Sequence, residues 1–257
     1  MKHYINKHCL LAIELVKKYT ENSNAAVMHE LRVSLKKIKT VITYLNETGQ
    51  YSKAIKKTEK EIRIIFRVAG RIRDAELIMD WLGKSRYNLL LQEAAVTCQL
   101  HTNKELFIQK SKQYVKLLHS IHSKLKKSTN EEKYVLEYVT QLKQTVFAKK
   151  SFSQPGRWHE LRKQIKQILY AVNWLHTKEK RKAVTVEKQK QLETIQELIG
   201  SWHDTENIKQ WLAKHQSFFS KDDKLKRQFN RCRLQLQNEQ QAKEKSISKL
   251  IKTRNKQ

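Results

Sequence analysis

Apolar residues recur along this chain at the three- and four-residue spacing of a helix face. Leu31, Leu35, Ile38, Ile42 and Leu45 advance in steps of 4, 3, 4, 3, which predicts a buried stripe on a helix reaching about Asn46. Leu161, Ile165, Ile168, Val172 and Leu175 advance by the same steps within a helix predicted over 158–175. Ile5, Leu11, Leu15 and Tyr19 predict an amphipathic helix over 3–20, and Asn22-Ser23-Asn24 a turn that caps the next helix. A helix over 52–69 holds Ile55, Ile62, Ile65, Phe66 and Ala69 on its apolar side. Gly70 reads as its C-terminal cap, with a short helix over 74–82 beyond. Residues 86–127 read as helical, in two pieces broken near Thr102-Asn103. The second half follows the same plan, with a helix over 131–149 in which Tyr134 matches Tyr4. Ser153-Gln154-Pro155-Gly156 reads as a linker. A helix over 184–199 ends at Gly200, and a short one reaches Trp211. A last helix from Asp222 buries Leu225, Phe229, Cys232 and Leu236, and its basic final turns from Lys243 read as frayed. Trp81 and Trp211 read as core.

Polar positions repeat as well. His29-Glu30-Leu31-Arg32, followed by Lys36 and Ile38, recurs 130 residues later as His159-Glu160-Leu161-Arg162, followed by Lys166 and Ile168. At the same offset Gly70, Asp74, Glu76, Ile78, Trp81 and Leu82 correspond to Gly200, Asp204, Glu206, Ile208, Trp211 and Leu212. Two blocks at one constant offset imply a duplicated half-domain: similar halves, about 1–128 and 129–257, within a single domain. One proline and five glycines in 257 residues, with abundant Lys, Gln, Leu and Glu, make the expected fold all-α.

Charge narrows the partners. Fifty-three Lys and Arg against 25 Asp and Glu give +28, a self-repulsion that a polyanion would offset. Nucleic acid, an anionic membrane and a phosphate polymer all answer to that description, and charge alone does not choose among them. Cys9, Cys98 and Cys232 suit reduced thiols in a cytoplasmic protein better than a disulfide framework. No apolar run reaches spanning length, and the N-terminal stretch carries polar residues unlike a secretory signal.

The basic positions fall into helical rows, because residues three and four apart share a face. His29, Arg32, Lys36 and Lys39 step by 3, 4, 3 beside the buried stripe, with Lys37 adjoining. His159, Arg162 and Lys166 form the matching row, with Lys163 adjoining. Lys56, Lys60, Arg63 and Arg67 step by 4, 3, 4, and Lys190 matches Lys60. Arg71 and Arg73 follow Gly70, and His203 stands opposite Arg73 in the repeat. If the halves pack about a pseudo-twofold, the two rows face one another across one basic groove or pore. A flexible polyanion lying there releases counterions. Asp74 and Asp204 either cap the short helices or orient the neighbouring cation, and the two roles are compatible.

Other chemistry is weak. Gly83-Lys84-Ser85 lacks the first glycine and the strand of a phosphate loop, and His-Glu at 29–30 and 159–160 lacks the second histidine of a zinc hydrolase. Cys98-x-x-His101 and His119-x-x-His122 have ligand-like spacing but would lie far apart on one continuous helix, and only a hairpin at Thr102 would bring them together, so no metal and no cofactor is expected. No nucleophile with a base and no paired catalytic carboxylates stand out, so the protein is not expected to be an enzyme. No aromatic residues interleave with the basic rows in a recognisable nucleic-acid motif.

At these residues the chain resembles the conserved histidine α-helical domain, or CHAD, family. The likeness rests on H-E-L-R-x-x-L-K-K-I-K at 29–39, A-G-R-I-R-D-A-E-L-I at 69–78, H-E-L-R-K-Q-I-K-Q-I at 159–168 with Tyr170, and I-G-S-W-H-D at 199–204. The resemblance implies two helical bundles related by a pseudo-twofold around a basic central groove. It also implies non-catalytic binding of inorganic polyphosphate, with ties to polyphosphate granules and their enzymes. Carried over by position, the anion contacts are His29, Arg32, Lys36, Lys39, Arg73, His159, Arg162 and Lys166, joined by adjacent bases. The chain departs from the family pattern at Leu169, where a further base is usual, and at His203, where arginine is usual. Nucleic-acid binding, or service as the accessory subunit of an enzyme acting on polyphosphate or triphosphate, are the rival readings.

Overall fold

The computed structural model describes residues 1–49, 53–84, 95–127, 132–148, 155–219 and 222–254. Among these there is no strand. The helices are α1 (Lys2–Asn22), α2 (Ala25–Glu47), α3 (Lys53–Lys84), α4 (Ala95–Gln109), α5 (Ser111–Lys126), α6 (Glu132–Ala148), α7 (Trp158–Ala171), α8 (Thr177–Ala183), α9 (Val186–Lys214), α10 (Gln216–Phe219) and α11 (Asp223–Arg254). Single 3₁₀ turns lie at Pro155–Arg157 and Val172–Trp174. Two compact units result: Met1–Glu76 with Cys98–Thr140 and Tyr170–Ala183, and Leu77–Thr97 with Gln141–Leu169 and Val184–Gln257.

In the first unit α1 packs on both α2 and α5. The connection from α1 to α2 follows from three residues. Ser23 adopts the left-handed conformation at φ 45° and returns its N–H to Tyr19 O at 2.9 Å. Asn24 then accepts the N–H of Ala26 at 2.7 Å, a cap worth about 1 kcal/mol. The stripe from Leu31 to Leu45 is buried throughout. Around it, aromatic edges meet faces: Tyr19 on Phe107 at 5.3 Å, Tyr44 on Trp174 at 5.3 Å and on Tyr138 at 5.0 Å. Polar ties bind the periphery, with Lys124 Nζ donating to Glu61 at 3.0 Å and Tyr138 Oη to Glu47 at 2.9 Å.

In the second unit α9 packs along α11. Trp158 is fully buried at the start of α7, edge-on to Trp202 at 5.3 Å, and Trp202 Nε1 donates to Glu244 at 3.1 Å. Leu225, Phe229, Cys232 and Leu236 are buried as their spacing requires. The turns of α11 from Lys243 to Ile251 are packed rather than frayed, and residues 255–257 lie outside the described residues. Ile247 and Ile251 are buried there, and Lys243 Nζ donates to Thr205 Oγ1 at 2.6 Å.

Several boundaries depart from the sequence expectation. Gly70 and Gly200 do not end helices, because α3 and α9 run straight through them. The short helices predicted after them are the continuations of α3 and α9, and Asp74 and Asp204 lie inside helices, where no N-terminus needs a cap. The break expected near Thr102-Asn103 falls at Lys110, since Asn103 Nδ2 bonds Gln99 O within the turn of α4 at 2.8 Å. The helix from Trp158 gives way to a 3₁₀ turn after Ala171. Trp81 and Trp211 are half-buried rather than core, and Trp211 stacks on His215. Tyr134 is exposed where its match Tyr4 is buried. Residues 86–94 of the predicted helix, Ser153 and Gln154 of the linker, Ser85 and the side chain of Cys98 lie outside the described residues.

Candidate anion-binding surfaces

The first unit carries its basic row on α2. Val27, Leu31, Leu35 and Ile38 turn one side of this helix into the core, which leaves His29 and Lys39 exposed and Arg32, Lys36 and Lys37 half-buried at the margin. Arg32 crosses from this margin to α3. Its Nη1 donates to Phe66 O at 3.4 Å, and its Cζ stands 4.8 Å from the centre of the Phe66 ring. Lys39 Nζ lies 5.7 Å from the same ring. Phe66 thus serves as a platform under two cations, a contact of modest strength where water has access. Gly70, one turn further along α3, lies beside the Arg32 guanidinium.

The rest of the α3 row is looser. Lys60, Arg63, Arg67 and Arg71 are exposed, and Arg63 is joined to Glu59 at 2.7 Å. Arg73 is half-buried, 3.9 Å from the buried carboxylate of Glu76, while Asp74 is exposed. Burial raises Glu76 above the usual carboxylate range, against the pull of Lys104 and Arg73. Lys37 is pushed down by burial and by Lys7. Tyr170 lies in this unit, half-buried near Tyr4, whose phenol burial also raises.

The second unit builds a matching surface from α7 and α9. Arg162 Nε donates to Gln196 O at 3.2 Å, and Gly200 lies against its guanidinium. Phe66 and Gln196 are themselves 130 residues apart, so the arginine meets the same carbonyl in each half. His159 is exposed and His203 half-buried, and their rings stack at 5.0 Å with 26° between planes. His203 Nδ1 is 3.3 Å from Asn207 Nδ2. Burial, and then Lys163, His203 and Arg162, hold His159 below the ordinary imidazole range. Lys163 is exposed and 3.6 Å from Glu160, Lys166 and Asp204 are half-buried, and Lys190 is exposed.

The structure therefore brings Arg32 together with Lys39 over Phe66, and His159 together with His203. Arg63 is turned instead toward a local carboxylate. Phe66 escaped the sequence reading because its spacing marks it as core. The signal that would have found it is the glycine one turn later, matched in both halves to an arginine on the preceding helix of the row. No cluster of three or more His, Cys, Asp or Glu suited to a metal occurs among the described residues. No described helix is long and apolar enough to cross a membrane.

Residues 12–213 match the CHAD domain family. The crystal structure of the CHAD domain from the plant Ricinus communis is similar to this chain with a TM-score of 0.72, covering 95% of this chain and 87% of that one at 16% identity. At such identity the likeness speaks for the fold. No curated protein matches the chain. With a family match over most of its length and a helical fold similar to that of a solved CHAD domain, this chain belongs to the CHAD domain family.

Proposed function

We propose that this protein binds inorganic polyphosphate without cleaving it. The observation that carries this reading is the duplicated basic surface: Arg32 and Arg162 each held on a helix carbonyl, with Lys36 and Lys166 four residues along the same helices. Each guanidinium offers directed donors to phosphate oxygens, the lysines add charge, and a long chain of phosphates gains avidity by meeting many such groups. In this reading the polymer meets the bases of both rows. Binding of this kind suits recruitment to polyphosphate granules or to the enzymes that work on them. A linear ribbon of closely spaced charges fits rows of cations, and it needs none of the stacking platforms that bases require.

The test reverses charge at Lys36 and Lys166. Arg32 and Arg162 are poorer positions for this, because each also bonds a neighbouring helix. Lys36→Glu with Lys166→Glu is expected to weaken binding of long polyphosphate strongly and to flatten its salt dependence, since fewer counterions are displaced. Orthophosphate is expected to bind poorly to both proteins. A folded double variant with wild-type affinity, or nucleic acid displacing polyphosphate at equal phosphate concentration, refutes the proposal. Phosphate release from polyphosphate by the pure protein refutes its non-catalytic part.

A further inference from the structure

We propose that Gly70 and Gly200 are positioning residues for binding: each forms a seat, left open by the absence of a side chain, that fixes one arginine for its anion. The inference deepens the polyphosphate reading and rests on it. Neither glycine is needed for backbone conformation. Both lie inside helices, and positive φ among the described glycines is confined to Gly49. Glycine is a poor choice in a helix interior, so its presence at matched positions calls for another cause.

That cause is space over a carbonyl. Each Cβ on a helix leans toward the N-terminus and covers the turn before it. Residue 70 is hydrogen-bonded through its own N–H to the carbonyl of residue 66, and residue 200 to that of residue 196. With no Cβ above it, the second lone pair of that carbonyl is open, and the arginine of the preceding basic helix takes it at 3.4 Å in one half and 3.2 Å in the other. A Cβ at residue 70 would stand 2.8 Å from Arg32 Nη1. At residue 200 it would stand 2.5 Å from Arg162 Nη2 and 3.0 Å from Cζ. Both clashes are with the tip of a flexible side chain, so alanine leaves the helix intact and moves the guanidinium. The residue beneath differs, Phe66 in one half and Gln196 in the other, so the element kept constant is arginine over glycine. A guanidinium pinned along one edge holds its other donors in fixed directions, and its ordering cost is met before any anion arrives.

A double-mutant cycle and a binding titration test this. Alanine is the better helix former, so Gly70→Ala with Gly200→Ala is expected to raise the melting temperature clearly in an Arg32→Ala, Arg162→Ala background. With the arginines present the gain is expected to shrink or reverse. Equal gains in both backgrounds overturn the seat. In the arginine-containing protein each alanine is expected to lower polyphosphate affinity about tenfold at fixed salt, the scale of one misdirected charge-assisted hydrogen bond. Unchanged affinity, while Lys36→Glu with Lys166→Glu still weakens binding, overturns the positioning role. If the wild-type protein holds no polyphosphate, the functional reading fails and takes the positioning role with it, while the unfolding cycle still decides the seat.

Discussion

His8 faces inward from α1 with 4% of its surface exposed, edge-on to Tyr4 at 4.4 Å. Its Nδ1 is buried with no hydrogen-bond partner. The charged groups that act on it are Lys37 of α2 and Lys7 of its own helix, both positive. Burial first, then Lys37 and Lys7, lower its pKa from 6.5 to about 4. The unfolded chain thus takes up this proton near the ordinary value and the folded chain only far below it. Between the two values the unfolded state holds more protons, so acidification through this window favours unfolding. With roughly 1.4 kcal/mol per pKa unit, the loss through His8 alone between about pH 8 and about pH 5 is about 2 kcal/mol.

The perturbation is His8→Phe, which keeps a ring against Tyr4 and removes the titration. Urea unfolding followed by circular dichroism at both pH values gives the stability of each protein. Other histidines titrate in both proteins and cancel in the difference. The wild type is expected to lose about 2 kcal/mol more than the variant on acidification. Any change in packing shifts both pH values together and leaves that difference intact. Parallel losses refute the placement of a neutral, buried imidazole at this position.

Two further outcomes follow from the second unit. Trp158→Ala opens a fully buried site beside Trp202 and is expected to cost about 3–5 kcal/mol by urea unfolding; a loss near zero would mean that α7 does not pack through this ring. His159 is held below the ordinary imidazole range by burial and three nearby bases, and a bound polyanion raises it again. Polyphosphate affinity is therefore expected to rise as pH falls through the imidazole range, with proton uptake seen by calorimetry in two buffers of different ionisation enthalpy; uptake unchanged in His159→Asn refutes this assignment.

What the sequence disclosed depended on whether a position answers to its own helix or to a neighbour. The stripe at Leu31–Leu45 answers to one helix, so its spacing alone places it in the interior; Leu161, Ile165 and Ile168 do the same on α7, while Val172 and Leu175 are buried beyond the end of that helix. Tyr4 and Tyr134 hold matched positions, yet one is buried against Trp174 and the other exposed, a difference that spacing within either helix does not carry. His8 shows the same limit: nothing in its spacing separates a histidine buried neutral from one on a solvated face.

Gly70 and Gly200 look like capping glycines within their own helices, yet both lie in helix interiors. A capping glycine is chosen by local backbone conformation and needs no partner distant in sequence. A glycine chosen for space needs a large side chain opposite it, at a separation that the fold keeps fixed. Arg32 precedes Gly70 by 38 residues, and Arg162 precedes Gly200 by the same 38. Within one copy that interval carries no weight. What ties the glycine to the arginine is the space a Cβ would fill, 2.8 Å from Arg32 Nη1 at residue 70 and 2.5 Å from Arg162 Nη2 at residue 200. A duplicated chain holds an internal control that a single copy lacks, because a contact between helices found in one half can be checked between the matched residues of the other, as Arg32 on the Phe66 carbonyl is by Arg162 on that of Gln196.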